Sequence, residues 1–280
     1  MRLGDTRPTG AAMTADEDHR GRVARVADQI AAASSVATVA GMIATPLMAP
    51  QGTARRLLSS VVVTGMFATT AANAARRWGP GRAGAAAVAT AVATGVVERI
   101  GTRTGKPFGQ YAYTEALRPQ IAHVPVIVPL AWFGMGLPSR EIAHAALGRT
   151  STPASRIALG SAAMTAWDLF LDPQMTNEGY WGWVKRGVYR GIPLSNYLGW
   201  LLTGFGIMAL FEVALPHRAT ACEASDRADG RLVGEYGYMS VMQTVGFARY
   251  FRDPVVAAVG GAAMLPISAL GVVQMLRGDR

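Results

Sequence analysis

A chain of 280 residues that is 50% hydrophobic and only 16% charged departs from soluble domains, in which about 25% of residues carry charge, and this excludes a solvated enzyme folded around one core. Its net charge of +9 does not point to nucleic acid, because the basic residues are spread through every loop instead of massed on one stripe; anionic headgroups of a lipid bilayer are the better partners. One cysteine, Cys222, and four scattered histidines, His19, His123, His144 and His217, exclude an internal disulfide, a cysteine-held metal cluster and the dense histidine boxes of a membrane di-iron oxygenase.

Residues 1–22 are polar, lack the apolar core of a secretory signal, and read as a disordered tail before a single transmembrane helical domain over 23–280. Seven apolar segments follow, at 29–49, 57–75, 83–100, 121–138, 155–172, 196–215 and 254–276, each near the roughly 20 residues that cross a bilayer. The expected fold is therefore all-α, a polytopic membrane bundle of about seven helices, with six to eight as the bounds. The third segment is made of small residues that let helix backbones approach closely, which predicts a place inside the bundle. Residues 139–148 either extend the fourth helix or lie at the interface. The longest connection, 216–253, is polar and then amphipathic in GEYGYMSVMQTVGFARYF, which predicts an interfacial helix. With seven spans, more Lys and Arg fall on the side of the N-terminus, which places that terminus in the cytoplasm. In either orientation the end of the third helix, the loop 101–120, the end of the fifth helix and the loop 173–195 share one membrane face.

The polar chemistry collects on that face. In TAWDLFLDPQM, Asp168 and Asp172 are four residues apart and so lie on one side of a helix, which Pro173 is expected to end. A carboxylate within a membrane helix is costly and marks a functional site facing the bundle interior; Asp172, beside the proline, also fits an interfacial helix end. Glu98 closes the third helix and is either an interfacial ion-pair partner of Arg99 or Arg103, or a third carboxylate of the same site. Burial and mutual repulsion within such a group favour a protonated acid at neutral pH. The alternation of Tyr111 with Tyr113, and of Trp181 with Trp183, predicts strand-like or re-entrant segments buried by protein. Each ring taken alone fits an interfacial belt, but crowded beside carboxylates they suit a carbocation.

The strings GKPFGQYAYT, PLAWFGMG, TAWDLFLDPQM, GYWGW and GIPLSNYLGWLLTG run in order over about residues 98–206. They resemble the membrane family of carotenoid biosynthesis that contains the carotenoid 1,2-hydratases and bisanhydrobacterioruberin hydratase. The resemblance implies addition of water to the terminal C1=C2 double bond of an acyclic carotenoid end group, lycopene-like or half-cyclised, leaving a tertiary alcohol. No metal, flavin or nicotinamide cofactor is required. Protonation of the alkene gives a tertiary cation that water captures. The catalytic set is then Asp168 as general acid, with Asp172 or Glu98 positioning or deprotonating the water. Tyr111, Tyr113, Trp167, Tyr180, Trp181, Tyr197 and Trp200 would line the substrate site, and Asn196 would hold the water.

Two other readings fit parts of the pattern. The DxxxD spacing of Asp168 and Asp172 suits Mg²⁺ and a diphosphate in a membrane prenyltransferase or terpene cyclase, with Arg103, Lys106, Lys185, Arg186 and Arg190 as neutralising charges, although no second acidic pair lies in a helix. A non-catalytic carotenoid-binding protein would use the aromatic groove and have no need of a protonated aspartate. A transporter has less support, because neither an inverted repeat nor a polar row through several helices is visible.

Overall fold

The computed structural model describes residues 10–217 and 227–278. Its helices are α1 (Gly10–Ala44), α2 (Thr53–Trp78), α3 (Pro80–Thr104), α4 (Ile127–Leu147), α5 (Pro153–Asn177), α6 (Leu194–Ala214), α7 (Gly230–Val245) and α8 (Pro254–Gly278). Two small ladders interrupt them. Strand β1 (Tyr111–Tyr113) pairs antiparallel with β4 (Trp181–Trp183), and β2 (Gln120–Ile121) pairs with β3 (Val124–Pro125). The all-α expectation holds, and so do the strand-like segments at the tyrosine and tryptophan alternations.

Helix α4 is the axis. Every residue from Ala131 to Ala146 is buried, because α2, α3, α5, α7 and α8 all pack on it. Among the described residues, five helices are long and apolar enough to cross a membrane: Gly21–Leu47, Thr53–Trp78, Pro80–Thr104, Leu194–Ala214 and Pro254–Arg277. The protein is a membrane protein, and the polar residues of α4 and α5 are tolerated because the surrounding helices cover them. Helix α3 shows both environments at helical spacing. Ala86, Thr90, Thr94 and Glu98 form its buried stripe, whereas Val88, Val92, Val96 and Ile100 are exposed, as side chains meeting lipid should be. The third segment is thus half inside the bundle, and only its small-residue face is enclosed.

Several boundaries differ from the expectation, each for a local reason. Helix α1 already begins at Gly10, within the stretch read as a disordered tail, because 11–22 carries many good helix formers and no proline; residues 1–9 lie outside the described residues. The fourth helix starts at Ile127 instead of 121, because Ala122 and His123 both take positive φ, 51° and 66°, and turn the chain through the β2–β3 hairpin. It then continues through 139–147, which settles that ambiguity in favour of helix. Between 216 and 253 the chain forms α7, which buries Leu232, Val233, Tyr236 and Met239 against the bundle instead of lying on its surface; residues 218–226 of this connection lie outside the described residues.

Pro173 does not end α5. A proline inside a helix removes the N–H that would bond the carbonyl four residues back, here that of Leu169, and the Tyr189 hydroxyl donates to that oxygen at 2.9 Å. The same device supports Pro138 within α4: the freed Gly134 carbonyl accepts from Thr70 Oγ1 at 2.7 Å. A further polar knot closes α6, where the Leu215 N–H already donates to the Phe211 carbonyl at 2.9 Å. Arg140, fully buried, donates to the carbonyls of Phe211 and Leu215 at 2.7 and 2.8 Å, and its guanidinium pairs with Glu141 at 2.8 Å.

Candidate active site

Four elements converge at one end of α3. The β1–β4 ladder sets Tyr111 opposite Trp183 and Tyr113 opposite Trp181, so both tyrosines and both tryptophans stand on one face of the ladder. Glu98, nearly two turns before the end of α3 and 4% exposed, lies under it, and its Oε2 accepts from the hydroxyls of Tyr111 and of Tyr113, the latter at 2.8 Å. Burial, and then the adjacent Glu98 carboxylate, holds both phenols far above the ordinary tyrosine range, so they remain neutral donors. Close approach of the loop is possible because Gly199 on α6 has no Cβ; one there would stand 2.5 Å from the Phe108 ring.

The two aspartates occupy the inward face of α5. Asn196, near the start of α6, donates from Nδ2 to Asp168 Oδ2 at 2.8 Å and to Asp172 Oδ2, so one amide group ties both carboxylates together. Trp181 Nε1 donates to Asp172 Oδ1 at 2.9 Å. Asp168 Oδ1 is buried with no hydrogen-bond partner. The Trp132 and Trp200 indoles stack at 4.3 Å and 17°, and Trp167 meets Trp200 edge-on at 6.2 Å.

These groups surround a cavity of about 50 Å³. Of the residues singled out in the sequence, Glu98, Tyr111, Tyr113, Asp172, Trp181, Asn196 and Trp200 line it. Asp168 does not; it stands one helical turn behind, linked to the cavity through Asn196. Tyr197 and Trp167 do not line it either: Tyr197 packs edge-on against Tyr189 at 6.0 Å, and Trp167 faces a second chamber. Tyr180 is not brought to the cavity. Its hydroxyl is 3.2 Å from Ser59 Oγ, and its ring packs with Leu117 and Trp181. Trp183, the strand partner of Tyr111, lines it too, and so do Trp132 and Phe108, which were not among the expected residues. Trp132 lies in the string PLAWFGMG, and its position five residues into a helix that begins only at Ile127 was hidden by the unsuspected hairpin.

No Lys or Arg lines this cavity, and Arg103, Lys106, Lys185, Arg186 and Arg190 are exposed. Elsewhere, Glu141, His144 and His217 bring donor atoms within 4.8 Å of one another. Glu141 already accepts from Arg140 at 2.8 Å, His217 at 3.0 Å and the Asp229 N–H at 2.8 Å. That cluster therefore acts as an ion-pair latch joining α4 to the chain on both sides of 218–226.

The family model described as "Carotenoid biosynthesis protein" matches residues 57–266, most of the chain and all of the site. The chain belongs to the carotenoid biosynthesis protein family. Bisanhydrobacterioruberin hydratase from Haloarcula japonica is 34% identical over 133 residues, a stretch that covers 47% of this chain and 45% of that relative. The match thus spans less than half the length of the curated relative. No solved structure matches.

Proposed function

We propose that this protein is a carotenoid hydratase of the hydro-lyase class, which adds water to the terminal C1=C2 bond of an acyclic carotenoid end group by acid catalysis. The observation that carries this reading is the meeting of two buried carboxylates, Glu98 and Asp172, at one small aromatic cavity that no cationic side chain lines, with a third buried carboxylate, Asp168, one helical turn behind. Protonating an unactivated alkene needs a positioned acid that stays protonated at neutral pH, and the resulting tertiary cation needs aromatic faces near it. Membership in the carotenoid biosynthesis protein family and a relative named as a hydratase agree with that chemistry.

The geometry refines the roles. Asp172 faces the cavity, so it is the group that delivers a proton to C2; Asp168, tied to it through Asn196, is the positioning partner with which it shares that proton. The cation at C1 rests against Trp200, Trp132 and Tyr111. Water attacks C1 while Glu98, aligned by Tyr111 and Tyr113, takes up its proton, and the proton returns to the aspartate pair before the next turnover. The sum is one alkene and one water giving one tertiary alcohol. Water has an approach through Trp181 and Trp183, which also line a polar cleft of about 570 Å³ on their other side.

A diphosphate-dependent prenyl transfer is less well supported, because the two aspartates are turned toward Asn196 and Trp181 and the basic residues lie outside. The protein would work in the bacterial cytoplasmic membrane with its N-terminus inside. Whether or not α7 counts as a span, the surplus of Lys and Arg stays on the N-terminal side, since Arg277 and Arg280 replace Arg249 and Arg252 there. Hydration run in D₂O tests the proton step: one deuterium must appear on the carbon next to the new alcohol, and a product without it would contradict an acid mechanism.

A further inference from the structure

The cavity beside the carboxylates is large enough for an end group only, so the rest of a long substrate must leave it in some direction. It has two neighbours. One is the polar cleft beyond Trp181 and Trp183, which Arg186, Arg190, Arg252 and Asp253 line. The other is a chamber of about 250 Å³ between α1, α2, α5 and α7. Val63, Ile127, Leu171 and Met175 line both this chamber and the carboxylate cavity, so the two are separated only by the thickness of those side chains.

The chamber contains no charged residue. Five of its walls are methionines, Met42, Met66, Met175, Met239 and Met242, whose unbranched side chains adapt to the contour of an elongated apolar guest. The Trp167 indole faces it as well, with its Nε1 buried and without a hydrogen-bond partner. Its outer rim is formed by Ile43 at the end of α1, by Val245 and by Tyr250 on the π-helical turn Gly246–Tyr250. These three are 56%, 50% and 55% exposed, so the chamber opens sideways on the apolar surface of the bundle.

Resting on the hydratase reading, we propose that this chamber is the channel for the polyene chain of the carotenoid: the substrate enters laterally between the end of α1 and the turn 246–250, and its terminal alkene reaches Asp172 past Leu171 and Met175. Continuity with the carboxylate cavity selects a long hydrocarbon that ends in a reactive group over a phospholipid acyl chain, whose charged headgroup has no counterpart at the inner end. The polar cleft on the other side is left to water, so the two reactants arrive from opposite directions.

The test uses the full-length protein in lipid nanodiscs, with lycopene and with a two-isoprene alkene that has the same dimethyl terminus. Met242→Trp fills the chamber from α7, and Ile43→Trp narrows its exposed rim without touching the core. Each variant is expected to lower the ratio of kcat/KM for lycopene over that for the short alkene at least tenfold. An unchanged ratio in both folded variants would overturn the channel. Binding is read separately by induced circular dichroism of the polyene, which needs no turnover. Saturable induced dichroism in the parent protein that is lost in Met242→Trp supports the channel even if no water is added to the pigment. A parent protein that retains only phospholipid, or binds lycopene equally well with both tryptophans in place, would overturn it whether or not hydration occurs.

Discussion

Replacing Asp172 by asparagine separates acid catalysis from structure most cleanly. The substitution preserves size, and the oxygen that accepts from Trp181 Nε1 at 2.9 Å can remain an acceptor. The acceptor facing Asn196 is lost, while Asn196 keeps its bond to Asp168 at 2.8 Å. One buried hydrogen bond between neutral groups contributes about 0.5–1.5 kcal/mol, and a protonated aspartate carries no charge to lose, so the variant remains folded in the membrane. Its chemistry should suffer far more. A positioned general acid contributes about 10²–10⁴ in rate, which at about 1.36 kcal/mol per tenfold is roughly 3–5 kcal/mol of transition-state stabilisation. The expected result is a fall in kcat of that size with KM within about threefold, since ground-state contacts survive. Initial rates in isolated membranes, normalised to folded protein and read by liquid chromatography of the pigments, measure it. A folded Asp172→Asn protein within threefold of the parent rate would refute the reasoning.

Glu98→Gln keeps an oxygen for the Tyr111 and Tyr113 hydroxyls but removes the proposed base, and kcat should fall by about 10²–10⁴; full activity would contradict that role for Glu98. Because burial and Glu98 raise both phenols, their neutral, donating forms persist through pH 10, so no alkaline loss of rate should arise from them between pH 8 and 10. A decline near pH 10 that disappears in Tyr111→Phe or Tyr113→Phe would contradict this. Incubation with a chelator, followed by metal analysis of the protein, should leave the hydration rate unchanged; a loss restored by Mg²⁺ would favour the diphosphate chemistry. Tyr189→Phe strips the Leu169 carbonyl beside Pro173 of its donor and should lower unfolding stability by about 1–3 kcal/mol, seen as reduced thermal resistance in detergent. An unaltered midpoint would mean that water replaces the hydroxyl.

Much of the site was legible in the sequence because its parts obey short-range rules. Asp168 and Asp172 share a face through their four-residue spacing, and Glu98 sits on a stripe with Thr90 and Thr94 that is visible as a period of four. Tyr111 with Tyr113 and Trp181 with Trp183 alternate as strands do, and they pair with each other. What was not legible depends on partners remote in the chain. Pro173 breaks a helix by local rules, but a tyrosine sixteen residues later supplies the missing donor. Ala122 and His123 have no glycine or asparagine to announce the β2–β3 turn, so the start of α4, and with it the place of Trp132, was hidden. Leu232, Val233, Tyr236 and Met239 lie on one side of an amphipathic segment, and such a pattern reads the same whether the apolar side meets lipid headgroups or other helices. The ordering of the two aspartates, Asp172 at the cavity and Asp168 behind it, rests on Asn196 arriving from α6.

The central claim is that this protein hydrates an acyclic carotenoid, and pigment analysis tests it most directly. Bacteria that accumulate lycopene would express the chain in ordinary and in ¹⁸O-labelled water, and their pigments would be separated by liquid chromatography and weighed by mass spectrometry. The account predicts a more polar pigment, heavier by one water per reacted end, whose oxygen carries the solvent label. Unchanged lycopene, together with unchanged half-cyclised and elongated acyclic substrates, in cells whose membranes contain the folded protein would contradict it.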